Sequence, residues 1–505
     1  MDTYFLGIDN GGSLTKAVLF DLHGKEIASA STRVPMIQPQ AGFTERDMEA
    51  LWQANVDVIR EVIAGAGVAP ESVRGIACTG HGKGLYLWGD DDAPAANGIV
   101  STDGRAWEYA RQWQEDGTAD AVFAKTLQTP LACQPVALWR WFQDHRPEVL
   151  ARVRWVFAVK DYIRFRLTGE AWSEITDASG SSLMDLTRGE FDDQVIHAFG
   201  IDSIGARLPP LRQSTDCCGA VTTPVAALTG LRAGTPVAGG MFDIDACAVA
   251  MNVTDERYLC VIAGTWGINE YVSPQPVVNK SIRMNSLFCI PGLFLIEESS
   301  PTSASNNDWF SSLFLDSERQ QAEARGISLH ALAEELAASV APDAQSILFL
   351  PFLYGSNDNP LAKASFIGLE STHTRPQLIR AVLEGIVFSH RVHIERLLAN
   401  RPPPEAIRLA GGAANNRVWA QIFADAIGLP VDIVATRELG ALGCAMAAAV
   451  ATGHHADLAT AANQMVTVKA RLQPEPAHKA AYDRKFALFV KAAQALDDLW
   501  SAFPK

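Results

Sequence analysis

None of the eight cysteines (Cys78, Cys133, Cys217, Cys218, Cys247, Cys260, Cys289 and Cys444) forms a Cys-x-x-Cys pair. Most stand among apolar or small residues, so buried reduced thiols are expected, and a disulfide scaffold or zinc site is not. The chain has no block of basic residues, and its formal net charge is −15. Nucleic-acid affinity needs clustered Lys and Arg, so no nucleic-acid partner is expected, although a local basic pocket for a phosphorylated ligand is compatible with the sequence. No uninterrupted apolar run reaches membrane-spanning length, so no membrane partner is expected. No basic segment followed by an apolar core opens the chain, and with reduced thiols this points to the cytoplasm. What is present is 505 residues, 48% hydrophobic and 20% charged, which is enough for two domains with sizeable cores.

The most informative stretch is the start. Residues 5–8 are apolar and end in a lone carboxylate, Asp9; Asn10-Gly11-Gly12-Ser13 follows, and then a second apolar run at 17–20. Two strand-like runs around Asn-Gly-Gly predict a β-hairpin. Its glycines let a ligand approach the backbone, and successive free N–H groups there make an anion-binding concavity. Ser13, Thr15 and Lys16 add polar contacts or positive charge, and Asp9 stands where hydrated Mg²⁺ beside bound phosphates would be held. An ordinary surface hairpin fits this stretch taken alone about as well.

Further along, residues 27–31 read as a third strand. Thr44 with Asp47 three positions on reads as a helix N-cap with an acidic first turn. Met48, Leu51, Val56, Ile59, Val62 and Ile63 give a helical stripe that ends near Gly65–Gly67. The strand at 73–78 runs into Gly80-His81-Gly82-Lys83-Gly84, a turn where His81 and Lys83 could bind hydroxyls or stay solvated. Asp103 and Arg105 follow the short strand 99–100; they could hydrogen-bond a polyol or pair with each other. Near mid-chain, Gly239-Gly240-Met241-Phe242-Asp243 ends a strand in two glycines and a carboxylate, and small residues continue as a helix. Asp243 therefore falls at a strand-to-helix junction, with Asp245 as its rival.

The second half repeats the opening plan. Strand 258–262, the turn containing Gly264-Thr265, and strand 268–272 suggest a duplicated pair of domains. A long helix starts at Thr374-Arg375-Pro376 and carries His390 and His393, read as surface or packing residues. The strand 407–410, then Gly411-Gly412-Ala413-Ala414-Asn415-Asn416, then a helix over 418–427 can hold a nucleotide α-phosphate or ribose. Strand 431–434 precedes a small-residue helix that begins at 438–445 and is expected to pack under that strand.

Together these pieces resemble the FGGY family of carbohydrate kinases, within the actin-like ATPase superfamily. The most specific part is Ala364-Ser365-Phe366-Ile367-Gly368-Leu369, seven residues, then Gln377-Leu378-Ile379-Arg380-Ala381-Val382-Leu383-Glu384; the order of Asp9, Lys16, Asp103, Arg105, Asp243, Gly264 and Gly411 also matches. Within the family the resemblance is to bacterial L-xylulose kinases, through Asn10–Ser13, Gly82–Leu85 and Pro351–Asn357, although His81 stands where those kinases tend to have Gln. The resemblance implies an α/β fold of two ribonuclease-H-like domains, 1–248 for the sugar and 249–505 for the nucleotide, with an interdomain cleft. It implies ATP and Mg²⁺, transfer of the γ-phosphate to a pentulose such as L-xylulose or xylulose, and a homodimer as one option. It implies Asp243 as general base; Asp9 and Asp243 at the metal; His81, Gly82, Lys83, Asp103, Arg105 and Asp243 at the sugar. It places Gly11, Gly12, Ser13, Lys16, Gly264, Thr265, Gly411, Gly412 and Asn416 at the nucleotide. The rival functions are a kinase for another ketose or polyol, a non-sugar actin-like ATPase, and a non-catalytic sugar sensor.

Overall fold

The structure, a computed structural model, describes residues 2–12, 14–356 and 358–503. Ser13 and Asn357 lie outside the described residues. The chain divides into two compact units: Met1–Thr254, Val272–Ile296 and Glu438–Val466 form one, and Asp255–Tyr271, Glu297–Arg437 and Thr467–Lys505 form the other. A single cut at 248/249 differs from this division, because residues 272–296 and 438–466 pack with the first unit.

In the first unit the opening hairpin forms as the pattern predicts. β1 (Tyr4–Asn10) and β2 (Leu14–Asp21) run antiparallel, with Asp9 opposite Lys16 and Asn10 opposite Thr15. β3 (Glu26–Arg33) continues the sheet from β2. The chain then crosses over through β4 (Glu45–Arg46) and α1 (Met48–Ala66) to β5 (Val73–Gly80), which lies parallel to β1. A parallel neighbour needs such a crossover, and the stripe Met48, Leu51, Val56, Ile59, Val62 and Ile63 is the face of α1 that is buried. Burial of each such side chain stabilises by about 1.5–3 kcal/mol, which ties the helix to the sheet. The helix ends at Gly67 with φ 63°, a left-handed cap.

The expected N-cap is shifted. Asp47, not Thr44, caps α1, its Oδ1 accepting the Ala50 N–H at 2.7 Å. β4 pairs with the strand Gly98–Ile99, which keeps the chain extended through Arg46 and delays the helix.

Strands Pro236–Ala238 and Met241–Phe242 also lie parallel to β5, with Met241 beside Thr79 and Phe242 beside Gly80. The carboxyl ends of β1, β5 and Met241–Phe242 therefore share one edge of the sheet. The sheet is mixed, and the carboxyl ends of its parallel strands are where α/β sheets hold ligands.

The helix Leu439–Ala451 does not pack under the strand Val431–Val434. It lies in the first unit against β1, β5 and the helix Asp243–Ala250. Its small residues make that possible: a Cβ on Gly7 would fall 1.9 Å from the Ala441 carbonyl oxygen, and one on Gly443 2.4 Å from that of Ala246.

The second unit repeats the arrangement. Tyr258–Ala263 and Gly267–Ser273 form an antiparallel hairpin, and Tyr258–Ala263 is parallel to Ala406–Gly411. The sheet runs in the order Met284–Leu287, Phe294–Ser300, Gly267–Ser273, Tyr258–Ala263, Ala406–Gly411, Val431–Val434, Val468–Leu472. The long helix spans Arg375–Leu398, capped by a reciprocal Thr374–Gln377 box. Both of its histidines are buried rather than on the surface. His390 bonds Ser303 Oγ at 2.7 Å and Asn269 Oδ1 at 2.8 Å, while His393 pairs with Glu298 at 2.9 Å. Cys217 is exposed, whereas Cys78, Cys218, Cys260, Cys289 and Cys444 are buried.

Candidate active site

Three strand ends of the first unit carry the candidate chemistry. β1 ends in Asp9-Asn10, β5 runs into His81-Gly82-Lys83, and Met241–Phe242 runs into Asp243, the first residue of a helix. The strands are bound together at this edge: the His81 N–H donates to the Asn10 carbonyl at 3.1 Å. Asn10 is fully buried, its side-chain oxygen accepting from Thr15 Oγ1 and Asn55 Nδ2.

Asp9 and Asp243 sit in a poorly solvated setting of like charge. Burial raises the Asp9 carboxyl to about 6; Lys16 opposes the rise and Glu438 adds to it. Burial, then the charges of Asp9 and Asp177, push Asp243 well above the usual carboxylate range. A carboxyl held up this way is a stronger proton acceptor when ionised, as a general base needs. Asp9 also stands beside the start of the helix Leu439–Ala451, where a Cβ on Gly440 would come within 2.7 Å of Asp9 Oδ2. Lys16 donates to Glu438 Oε2 at 2.9 Å, a pairing between residues 422 positions apart that no local pattern anticipates. Asp245, the rival to Asp243, is fully buried and accepts the Cys289 N–H at 3.0 Å, a structural use of its carboxylate.

The expected sugar-side residues are placed differently from one another. His81 is buried and bonds the Tyr86 hydroxyl at 3.0 Å; burial, reinforced by Arg46, holds its pKa down to about 3, so it is neutral. Gly82 passes so close to Phe242 that a Cβ would lie 2.2 Å from the ring, which packs this turn against the residue before Asp243. Lys83 holds φ 62°, unusual without a glycine, and its ammonium lies 5.6 Å over the Phe242 ring. With Asp161 and Asp177 it lines a small cavity of about 40 Å³. Burial lifts Asp177 to about 7 against the pull of the fully buried Lys160, which lies 3.2 Å away. Asp103 and Arg105 pair with each other: Arg105 Nη2 reaches Asp103 at 2.9 Å and Glu45 at 2.8 Å, and Asp103 also accepts the Thr44 N–H at 2.6 Å.

In the second unit, the carbonyls of Gly264 and Thr265 accept the N–H groups of Ala304 and Ser303. Gly411 has φ 81°, and a Cβ there would meet the Ala263 carbonyl at 2.3 Å, so this strand end admits only glycine. Gly412 opens a 3-10 turn, and Asn416 caps the helix Arg417–Ile427 by accepting the Trp419 N–H at 2.8 Å. The N–H groups of Arg417 and Val418 donate to Glu334. Neither that carboxylate nor Arg46, which lies behind the first hairpin, carried any signal in the sequence.

The N-terminal-domain model of the FGGY carbohydrate kinases matches residues 4–250, and the C-terminal-domain model matches residues 259–452. The chain belongs to the FGGY family of carbohydrate kinases. It is 35% identical over 503 residues to the L-xylulose/3-keto-L-gulonate kinase of Escherichia coli (strain K12), covering 98% of each chain. It is 35% identical over 498 residues to a probable L-xylulose kinase of Pasteurella multocida (strain Pm70), covering 98% of this chain and 99% of the relative. A crystal structure of xylulose kinase from Rhodospirillum rubrum is similar with a TM-score of 0.87 at 28% identity, over 99% of this chain and 100% of that one. As an FGGY kinase the protein is an ATP-using phosphotransferase with two ribonuclease-H-like α/β domains. No helix among the described residues is long and apolar enough to cross a membrane.

Proposed function

We propose that this FGGY kinase transfers the γ-phosphate of ATP to a primary hydroxyl of a pentulose or its keto-acid relative, with L-xylulose and 3-keto-L-gulonate the first candidates. The substrate reading draws on the names of the 35%-identical relatives. The observation that carries the site is the shared edge of β1, β5 and Met241–Phe242, which gathers Asp9, His81 and Asp243.

Asp243 accepts the hydroxyl proton as the sugar oxygen attacks. Phosphoryl transfer needs mainly positioning and neutralisation of charge. In the first unit Gly11, Gly12, Ser13 and Lys16 are the residues for the terminal phosphates; in the second unit Gly264 and Thr265 are the second phosphate turn, and Gly411, Gly412 and Asn416 are the residues for the α-phosphate and nucleoside. Asn416 spends its side-chain oxygen on the helix cap, which leaves its amide for that role. His81 and Gly82 orient the sugar from the β5 end, and Lys83 adds the positive charge that a keto-acid would meet. Asp103 and Arg105 contribute their outer edges after pairing with each other. Residues 1–248 thus serve mainly the sugar and 249–505 mainly the nucleotide, in a cytoplasmic enzyme that a homodimer would suit.

Magnesium fits this donor set. Asp9 raises Asp243, so the two carboxylates repel, and a cation relieves that repulsion. Magnesium bound beside phosphates takes most of its oxygens from phosphate and water, so one or two protein carboxylates suffice. When bound it neutralises phosphate charge.

ADP release stimulated by L-xylulose, D-xylulose, L- and D-ribulose, 3-keto-L-gulonate, erythritol and glycerol tests the proposal. A clear kcat/KM preference for L-xylulose or 3-keto-L-gulonate is expected. Preference for D-xylulose or a polyol overturns the substrate; ADP release indifferent to every sugar overturns the kinase reading.

A further inference from the structure

β4 is two residues long, and alternation sends its side chains in opposite directions. Glu45 goes to Arg105 at 2.8 Å. Arg46 goes to the Gly11–Gly12 turn. Its Nη1 and Nη2 each lie 3.3 Å from the Gly11 carbonyl oxygen, and Nη2 lies 2.6 Å from that of Gly12. Nη2 also touches Met36 Sδ at 3.8 Å. Arg46 is 1% exposed, and its Nε is buried without a hydrogen-bond partner. A buried guanidinium with an unpaired N–H is costly, and charged hydrogen bonds to carbonyls offset only part of that cost.

Peptide geometry gives this expense a use. A trans peptide is planar, so its C=O and N–H point in opposite directions. Pinning the Gly11 carbonyl to Arg46 turns the Gly12 N–H away from it. Gly12 itself is exposed, and a Cβ built on it would meet nothing within 4 Å, so the turn leaves room for a ligand at this residue. The arginine thus holds the carbonyl side of the turn and adds a fixed positive charge there.

We infer that Arg46 is the positioning residue of the phosphate hairpin, clamping the Gly11 and Gly12 carbonyls so that the Gly12 N–H, which shares a peptide plane with the Gly11 carbonyl, is preset for the terminal phosphates of ATP. Arg46 does not touch substrate in this role. The inference rests on the proposed use of the Gly11–Gly12 turn for phosphate.

Arg46→Gln and Arg46→Lys test it, with steady-state kinetics, calorimetric Kd for ADP and thermal melting. Arg46→Gln is expected to lower kcat at least 30-fold and weaken ADP at least 5-fold, with KM for the sugar within 3-fold. Arg46→Lys, which keeps the charge and one donor direction, is expected to recover part of both losses. If Arg46→Gln does not fold, Arg46→Lys decides, through a raised ADP Kd with an unchanged sugar KM. Unchanged ADP affinity and kcat in a folded variant overturn the inference, as does a loss confined to the sugar KM. Asp9→Asn separates the readings: if it abolishes turnover while Arg46 variants are normal, the clamp alone fails. If wild-type protein shows no sugar-stimulated turnover, the kinase reading fails, and the ADP Kd still tests the clamp.

Discussion

Replacing Asp243 by Asn should make the enzyme much slower and slightly more stable. The substitution keeps the side chain's size and removes its capacity to accept a proton. A positioned general base contributes a factor of about 10²–10⁴, or about 2.7–5.4 kcal/mol of barrier at 1.36 kcal/mol per decade. The stability effect has the opposite sign. Burial and the charges of Asp9 and Asp177 raise the folded-state pKa of Asp243 far above 3.8. The stability linked to a raised acid is present in full below its unfolded pKa and is lost as pH rises through the folded one. The Asn variant carries no such charge, so the two proteins should melt alike near pH 3 and the variant should melt higher at pH 8. Coupled ADP release gives kcat, and melting of the ligand-free proteins at pH 4, 6 and 8 gives the second arm. A kcat within tenfold of wild type, or a variant that melts lower than wild type at pH 8, refutes the reasoning.

The acidic limb of kcat/KM should carry both carboxylates, Asp9 raised to about 6 and Asp243 raised well above the usual range, because a protonated Asp9 cannot hold a cation and a protonated Asp243 cannot accept a proton; His81, held down to about 3, should add none, so His81→Asn should leave the limb in place in a pH–rate profile. In ligand-free urea denaturation at pH 8, Asp9→Asn should gain up to about 2 kcal/mol, an amount discounted for partial exposure, and nothing at pH 3. Glu438→Gln should change stability by less than about 1 kcal/mol, since the Lys16 pair is partly exposed, while freeing Lys16 and altering KM for ATP; a stability loss without a change in KM would contradict this. Gly7→Ala should destabilise by about 1–3 kcal/mol or prevent folding, because its Cβ would overlap the Ala441 carbonyl; a normal Tm would show that this packing is wrong.

Local chemistry made several features legible in the sequence. Asn10-Gly11-Gly12 between apolar runs specifies the hairpin of β1 and β2, and the stripe from Met48 to Ile63 specifies α1, because turn conformation and side-chain periodicity are properties of neighbouring residues. The two glycines before Asp243 marked the strand end, and Gly411 needed its positive φ. The ordered motifs carried the family, since spacing along the chain survives where individual contacts do not. The local pattern put the cap of α1 at Thr44; the pairing of Glu45 and Arg46 with Gly98–Ile99 moved it to Asp47. Nor did the local pattern decide where the helix Leu439–Ala451 goes. An all-apolar helix of small residues can lie under any sheet, and only the meeting of Gly7 with Ala441 and of Gly443 with Ala246 assigns it to the first unit beside Asp9. Arg46 behind Gly11, Glu438 on Lys16 and Asp177 beside Lys160 belong to the same class. Their roles depend on charges brought together from distant parts of the chain and on the solvent excluded around them, and no local pattern encodes either.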